Sequence, residues 1–329
     1  MSALAPTMQA FFTDRLIRER RASPHTVASY RDTMRLLLAF AQQRLGKQPS
    51  WLELEEIDAE LVRAFLEHLE RDRGNTARTR NNRLAAIHSL FAFAALRHPE
   101  QAAHIQRVLA IPPKRFERAL ITWLTDTEVD ALLAAPDRSR WAGRRDHALL
   151  VVATHTGLRA SELIGLSCGD AHLETGAHIS CLGKGRKERI TPLTRNAATV
   201  LRGWLAERRA QAIEPLFPAR HGGRLTRDGL ERRLARHIVV AAKRSPTLGK
   251  KHVTMHTLRH TTAMRLLHAG VDTTVIALWL GHESVETTQI YLHADLALKE
   301  RALARTSPPG SSPTRYRPGD NLLAFLEGL

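Results

Sequence analysis

The sequence predicts a mainly α-helical, two-domain protein with a small antiparallel β-hairpin in its second domain. Three observations predict it. At 329 residues the chain is long enough for about two domains of roughly 150 residues, each with its own core. Apolar residues recur at three- and four-residue steps over most of its length, the period of a helix with one buried face. One stretch, from about Ser167 to Leu193, reads instead as short strands around a basic, glycine-containing turn.

The helices follow in order. Phe11, Leu16 and Ile17 precede a break at Ser23-Pro24, after which Val27, Tyr30, Met34, Leu37, Leu38 and Phe40 form one apolar face, with Thr26 or Ser23 as the cap. A third helix fits Ala59 to Arg71, with Leu61, Val62, Phe65, Leu66 and Leu69 inward, and Arg73-Gly74-Asn75 ends the pattern. Thr76 to Leu96 is a fourth, opening with Arg78, Arg80 and Arg83. Their spacing reads as one basic face, either solvated or laid against a DNA backbone. Ala110 to Arg115 contains Pro112-Pro113, which stops a helix and favours an extended linker. Thr125-Asp126-Thr127-Glu128 has capping-box spacing and starts a new helix.

Further helices fit Asp146 to His155, Asn196 to Ala212, Arg227 to Lys243, His256 to Ala269, Thr273 to Leu280 and Val285 to Leu292. The hairpin pairs His178–Leu182 with Arg189–Leu193 around Gly183-Lys184-Gly185-Arg186-Lys187. The resulting division is a helical domain over 1–110, a linker over 111–120, a second domain over 121–305, and a tail over 306–329. That tail has a linker-like start and an apolar end: Leu322, Leu323, Phe325, Leu326 and Leu329.

Charge narrows the partners. Lys and Arg number 49 against 33 Asp and Glu, a formal +16; residues 1–110 carry 16 basic and 12 acidic side chains, so most of the excess lies beyond them. So basic a chain favours a polyanion, because neutralised phosphates release condensed counterions. Aromatics at 5% argue against a single-strand binder built on stacking platforms. No apolar run reaches the roughly 20 residues of a membrane span, and the N-terminus lacks the layout of a secretory signal. Two cysteines, Cys168 and Cys181, form no disulfide framework and read as small core residues of a cytoplasmic protein.

The candidate chemistry sits beside helix breaks. Arg159 follows Thr156-Gly157-Leu158, and Glu162, three residues on, is spaced to hold its guanidinium. His256 and Arg259 share a face at a helix start, Gly281-His282 ends a helix, Tyr291 follows, and Lys184 lies in the basic turn. Two arginines, a lysine, two histidines and a tyrosine suit a phosphodiester site without metal. Guanidinium forks match phosphate oxygens, imidazole and ammonium move protons, and a phenol becomes a nucleophile once activated. His256 and His260 have a zinc-compatible spacing. The glutamate that zinc proteases place beside the first histidine is missing, however, and there is no carboxylate cluster for two metals. No metal or other cofactor is expected, and His260 reads as structural.

At these residues the sequence resembles the tyrosine recombinase, or phage integrase, family. The pieces are Thr156-Gly157-Leu158-Arg159-Ala160-Ser161-Glu162-Leu163, Gly183-Lys184-Gly185-Arg186-Lys187-Glu188-Arg189, His256-Thr257-Leu258-Arg259-His260-Thr261, Leu280-Gly281-His282 and Thr287-Thr288-Gln289-Ile290-Tyr291, in the family's order. Ser23 to Tyr30 also resembles the family's core-binding, SAM-like domain. The resemblance implies a C-shaped clamp on double-stranded DNA and site-specific integration, excision or dimer resolution. Tyr291 would form a 3′-phosphotyrosine, Arg159 and Arg259 would clamp the phosphate, and Lys184 would protonate the leaving 5′-oxygen. His256 would act as acid and base, His282 would bond the phosphate, and Glu162 would support Arg159. It further implies a homotetramer in the synapse, with related recombinases or accessory DNA-bending proteins as further partners, and a protein of the bacterial nucleoid. DNA contacts are expected at Arg78, Arg80, Arg83, Lys114, Arg115, Arg186 and Lys187. The apolar tail would pack on a neighbouring protomer or back on its own domain. Two alternatives stand beside this reading: a type IB topoisomerase that only relaxes DNA, and a DNA-binding relative without activity.

Overall fold

In the computed structural model, residues 4–116, 121–183, 188–282, 287, 288 and 291 are described. Lys184, Arg186, Lys187 and the tail over 306–329 lie outside the described residues. The chain forms two compact units, dividing between Arg118 and Ala119.

Among the described residues, the named elements of the first unit are helices: α1 (Leu4–Ala10), continued by a π-type stretch over Phe11–Glu19, then α2 (Pro24–Leu45), α3 (Ala59–Arg71), α4 (Ala77–Ala95) and α5 (Ala102–Leu109). Capping explains where these helices start. Ser23, rather than Thr26, caps α2, its Oγ accepting from the Thr26 amide at 3.2 Å, and Pro24 occupies the first helical position, where its missing N–H costs nothing. Asp58 and Thr76 cap α3 and α4 in the same way. The core they enclose includes Phe11, Met34, Leu37, Val62, Phe65, Leu84, Ile87 and Phe91.

Two expectations change here. Arg80 does not face outward. It is 6% exposed, and its guanidinium donates to the Pro112 carbonyl at 3.1 Å and to Asn81 at 3.0 Å. Arg78, two positions earlier, is exposed, because residues two apart point to nearly opposite sides of a helix. Arg83, three positions after Arg80, is half-buried. The prolines also do not open a free linker at 111. Ile111 is buried, and the Lys114 backbone exchanges hydrogen bonds with the Asn81 side chain at 2.7 and 3.0 Å. The segment up to Phe116 therefore belongs to the first unit, with the Lys114 ammonium on Glu70 at 2.6 Å and Arg115 exposed.

The second unit contains α6 (Asp126–Leu133), α7 (Trp141–Thr156), α8 (Ala160–Gly165), strands β1 (Ala171–His172), β2 (His178–Leu182) and β3 (Glu188–Pro192), then α9 (Arg195–Arg208), α10 (Arg227–Ala242), α11 (Met255–His268) and α12 (Thr273–Leu280). The expected hairpin is present, with Cys181 opposite Arg189, and β1 adds a short third antiparallel strand. Thr125 and Glu128 close the expected capping box on α6. Both cysteines are buried and free. α7 starts five residues before the expected Asp146 and is buried over most of its length; it is the central post of the unit. α11 is tied along it, the Thr262 hydroxyl donating to the Thr154 carbonyl at 3.0 Å. Among the described residues, no helix is long and apolar enough to cross a membrane.

Candidate active site

The site forms where α7 ends, α8 and α11 begin, and α12 ends. α7 stops at Gly157, whose left-handed φ of 62° lets the chain reverse. Space fixes this residue too, since a β-carbon there would lie 2.6 Å from a Leu280 methyl and 3.2 Å from Thr262. The reversal delivers Arg159 to the N-cap of α8. Glu162 then closes back as the sequence predicts: one oxygen accepts the Arg159 amide at 2.8 Å and the other its guanidinium at 2.8 Å. The arginine charges and these hydrogen bonds outweigh burial and hold the Glu162 carboxyl below its ordinary range.

α11 supplies Arg259, 3% exposed, which donates to the carbonyls of Gly157 at 2.8 Å and Leu280 at 2.7 Å. Burial, reinforced by the Arg159 charge, brings its pKa down to about 10, so it stays cationic at neutral pH. Arg159 reaches the neighbouring Gly281 carbonyl at 3.0 Å and keeps a third of its side chain exposed. The last carbonyls of α12 thus hold two like charges side by side. They are orphan acceptors at the negative end of the helix dipole, which suits guanidinium.

His256 lies exposed in the first turn of α11, its ring 4.2 Å from that of His260. His282 follows the left-handed Gly281, and its Nδ1 is 2.8 Å from the Thr288 hydroxyl. Tyr291 is 1% exposed within an apolar cluster of Met264, Leu267, Ile276 and Leu280. That burial, opposed by the charges of Arg259 and Arg159, pushes its phenol up to about 12. Burial brings His260 and His282 down to about 4, so both are neutral at pH 7.

Five of the expected residues therefore come together where α7, α8, α11 and α12 meet: Arg159, His256, Arg259 and His282 at the helix ends, with Glu162 beside Arg159, and Tyr291 packed against α11 and α12. Lys184, Arg186 and Lys187 lie outside the described residues. Two residues in contact with this cluster escaped sequence reasoning. His260, read as structural, has its Nδ1 3.0 Å from the Tyr291 hydroxyl; its place one turn after His256 is the signal that could have found it. Arg189, quoted above without a role, donates to Glu162 at 2.8 Å.

The family comparisons agree with this geometry. Residues 122–297 match the phage integrase family, and residues 10–98 match the phage integrase N-terminal SAM-like domain. The chain belongs to the phage integrase family. It is a tyrosine recombinase, and the matches support site-specific recombination rather than DNA relaxation alone. Among its relatives, the integrase/recombinase y4rC of Sinorhizobium fredii is 58% identical over 100% of this chain and 99% of its own length. Tyrosine recombinase XerC of Pelobacter propionicus is 33% identical over 90% of this chain and 93% of its own length. In three dimensions the recombinase is similar to XerH site-specific recombinase bound to palindromic difH substrate, a post-cleavage complex. The TM-score is 0.67 at 25% identity, covering 87% of this chain and 81% of that one.

Proposed function

We propose that this recombinase cuts and rejoins double-stranded DNA through a covalent link to Tyr291, in integration, excision or dimer resolution. The observation that carries the reading is the convergence of Arg159 and Arg259 on the end of α12, with Tyr291 in the same cluster as that helix. The phenol oxygen attacks the scissile phosphorus. The two guanidiniums take the non-bridging oxygens, whose charge grows in the transition state, so their stabilisation acts where it lowers the barrier. Arg159, the more exposed of the pair, receives the phosphate first; Arg259 is pre-organised by two backbone carbonyls. The bond to the 5′-oxygen breaks as Lys184 supplies its proton, His256 exchanges protons with the tyrosine, and His282 bonds the phosphate. A 5′-hydroxyl from another strand then reverses the step without external energy, because the phosphodiester is conserved in number. No metal or nucleotide is assigned a part.

Both units would contact the DNA in a clamp, with Arg78, Arg83, Lys114, Arg115, Arg186 and Lys187 on phosphates, and two duplexes would meet in a homotetramer. Related recombinases or DNA-bending proteins would be its accessory partners, and the bacterial nucleoid its location. The test is a nicked suicide duplex carrying a site selected by binding from a random library, incubated with the recombinase in chelator. A denaturant-resistant protein–DNA adduct, lost in Tyr291→Phe, is expected. An adduct that persists in that variant, or one that needs a divalent metal, overturns the reading.

A further inference from the structure

A third arginine stands in the site without a part in the scheme above. Arg189 lies on β3, five residues after Lys184, with its side chain 9% exposed. Its Nη2 donates to the Glu162 oxygen at 2.8 Å that also accepts the Arg159 amide, and its Nη1 donates to the Leu280 carbonyl that also accepts Arg259. Glu162 is therefore shared by two arginines, and Leu280 by another pair. Arg189 is the member that joins the two sets.

Gly281 reports the same constraint from the other side. A β-carbon there would overlap the Arg189 guanidinium, and the left-handed φ of 64° already disfavours a side chain. The guanidinium can therefore occupy its place beside the end of α12 because position 281 carries no β-carbon, although 92 positions separate the two residues.

We propose that Arg189 is a positioning residue for strand transfer: it pins β3 to Glu162 and to the end of α12, and so fixes the Arg159 guanidinium and the turn that presents His282. A lone carboxylate under one arginine could swing with it. Held by two guanidiniums from different elements, it cannot follow Arg159 toward solvent. Arg189 touches no reacting atom in this account, which rests on the strand-transfer reading above. An arginine suits the place because its rigid planar fork spans two acceptors lying in different directions, whereas a lysine ammonium is a single compact point that cannot reach both from one position.

The experiment compares Arg189→Met, Arg189→Lys and Tyr291→Phe, measuring single-turnover adduct formation on the suicide duplex and equilibrium binding of the same DNA. Arg189→Met is expected to cleave about 100-fold more slowly, the loss typical of a 1 Å misplacement, while binding stays within about threefold, since few of the phosphate contacts that set affinity are touched. Arg189→Lys should recover about a tenth of the lost rate. Combining Arg189→Met with Glu162→Gln should be no worse than the slower single variant, because both break one unit.

Cleavage by Arg189→Met within about threefold of the unaltered recombinase overturns the proposal. So do equal losses of cleavage and binding, or losses that multiply with Glu162→Gln. Should Arg189→Met fail to fold, by its circular dichroism, Arg189→Lys decides alone: an unreduced rate overturns the proposal. Adduct formation by Tyr291→Phe would instead remove the strand-transfer reading on which it stands.

Discussion

Gly157→Ala separates backbone strain from steric exclusion at the point where the chain turns into the site. Gly157 and Gly176 both adopt left-handed backbone, with φ of 62° and 75°. Only at Gly157 does an added methyl meet anything, at 2.6 Å from Leu280 and 3.2 Å from Thr262. Gly176→Ala should therefore cost only the left-handed penalty, about 1–2 kcal/mol. Gly157→Ala adds overpacking of about 1–3 kcal/mol, so its total is about 2–5 kcal/mol. Urea unfolding followed by tryptophan fluorescence reads the difference, since Trp123, Trp141, Trp204 and Trp279 all lie in the second unit. Cleavage supplies a second readout. The Gly157 carbonyl holds Arg259 and the chain reaches Arg159 two residues later, so Gly157→Ala should cleave about 100-fold more slowly and Gly176→Ala normally. Equal destabilisation by the two substitutions, or normal cleavage by Gly157→Ala, would refute the argument.

Two further outcomes follow from buried charge. His260 and His282 are brought down to about 4 in the folded protein, so between about pH 6.5 and 4 the unfolded chain binds protons that the folded one refuses. Their contribution to stability is complete above pH 6.5 and is lost as the pH falls toward 4. The urea midpoint should drop over that range, and less steeply in His260→Asn/His282→Asn; identical slopes would contradict the assignment. Asp146 is 6% exposed and accepts from Arg145 at 2.6 and 2.9 Å and from His237 at 3.0 Å, while Arg145 is 1% exposed. Asp146→Asn strands a buried guanidinium and should cost about 3–5 kcal/mol of unfolding free energy, with under 1 kcal/mol counting against it.

The helices were legible because their ends carry chemistry that the sequence displays. Ser23-Pro24, Thr76 and the Thr125–Glu128 box each satisfy free amides with a side chain a few residues away. The candidate site residues were legible for a related reason: Gly157 and Gly281 mark reversals, and Arg159 and His282 stand one or two residues beyond them. Contacts between distant segments were not legible. Arg80 looked like part of a basic face because its inward acceptor, the Pro112 carbonyl, lies 32 residues away. Arg189 reads only as the first residue of a strand after the basic turn, since Glu162 and Leu280 approach it only after the sheet and α12 have packed. His260 was assigned to structure because nothing local shows that the Tyr291 hydroxyl will face its Nδ1. A side chain's spacing along a helix gives its direction, but not what stands there.

The central claim, that Tyr291 is the nucleophile of a metal-independent strand transfer, is tested most directly by mapping the covalent bond. The chain has three tyrosines, Tyr30, Tyr291 and Tyr316. After a suicide duplex is trapped in chelator and the complex is digested with trypsin and nuclease, mass spectrometry should find one nucleotide-modified peptide. The modification should lie on Tyr291 through a 3′-phosphate, with a free 5′-hydroxyl on the released strand. A modification on Tyr30 or Tyr316, a 5′-phosphate linkage, or cleavage with no modified peptide would contradict it.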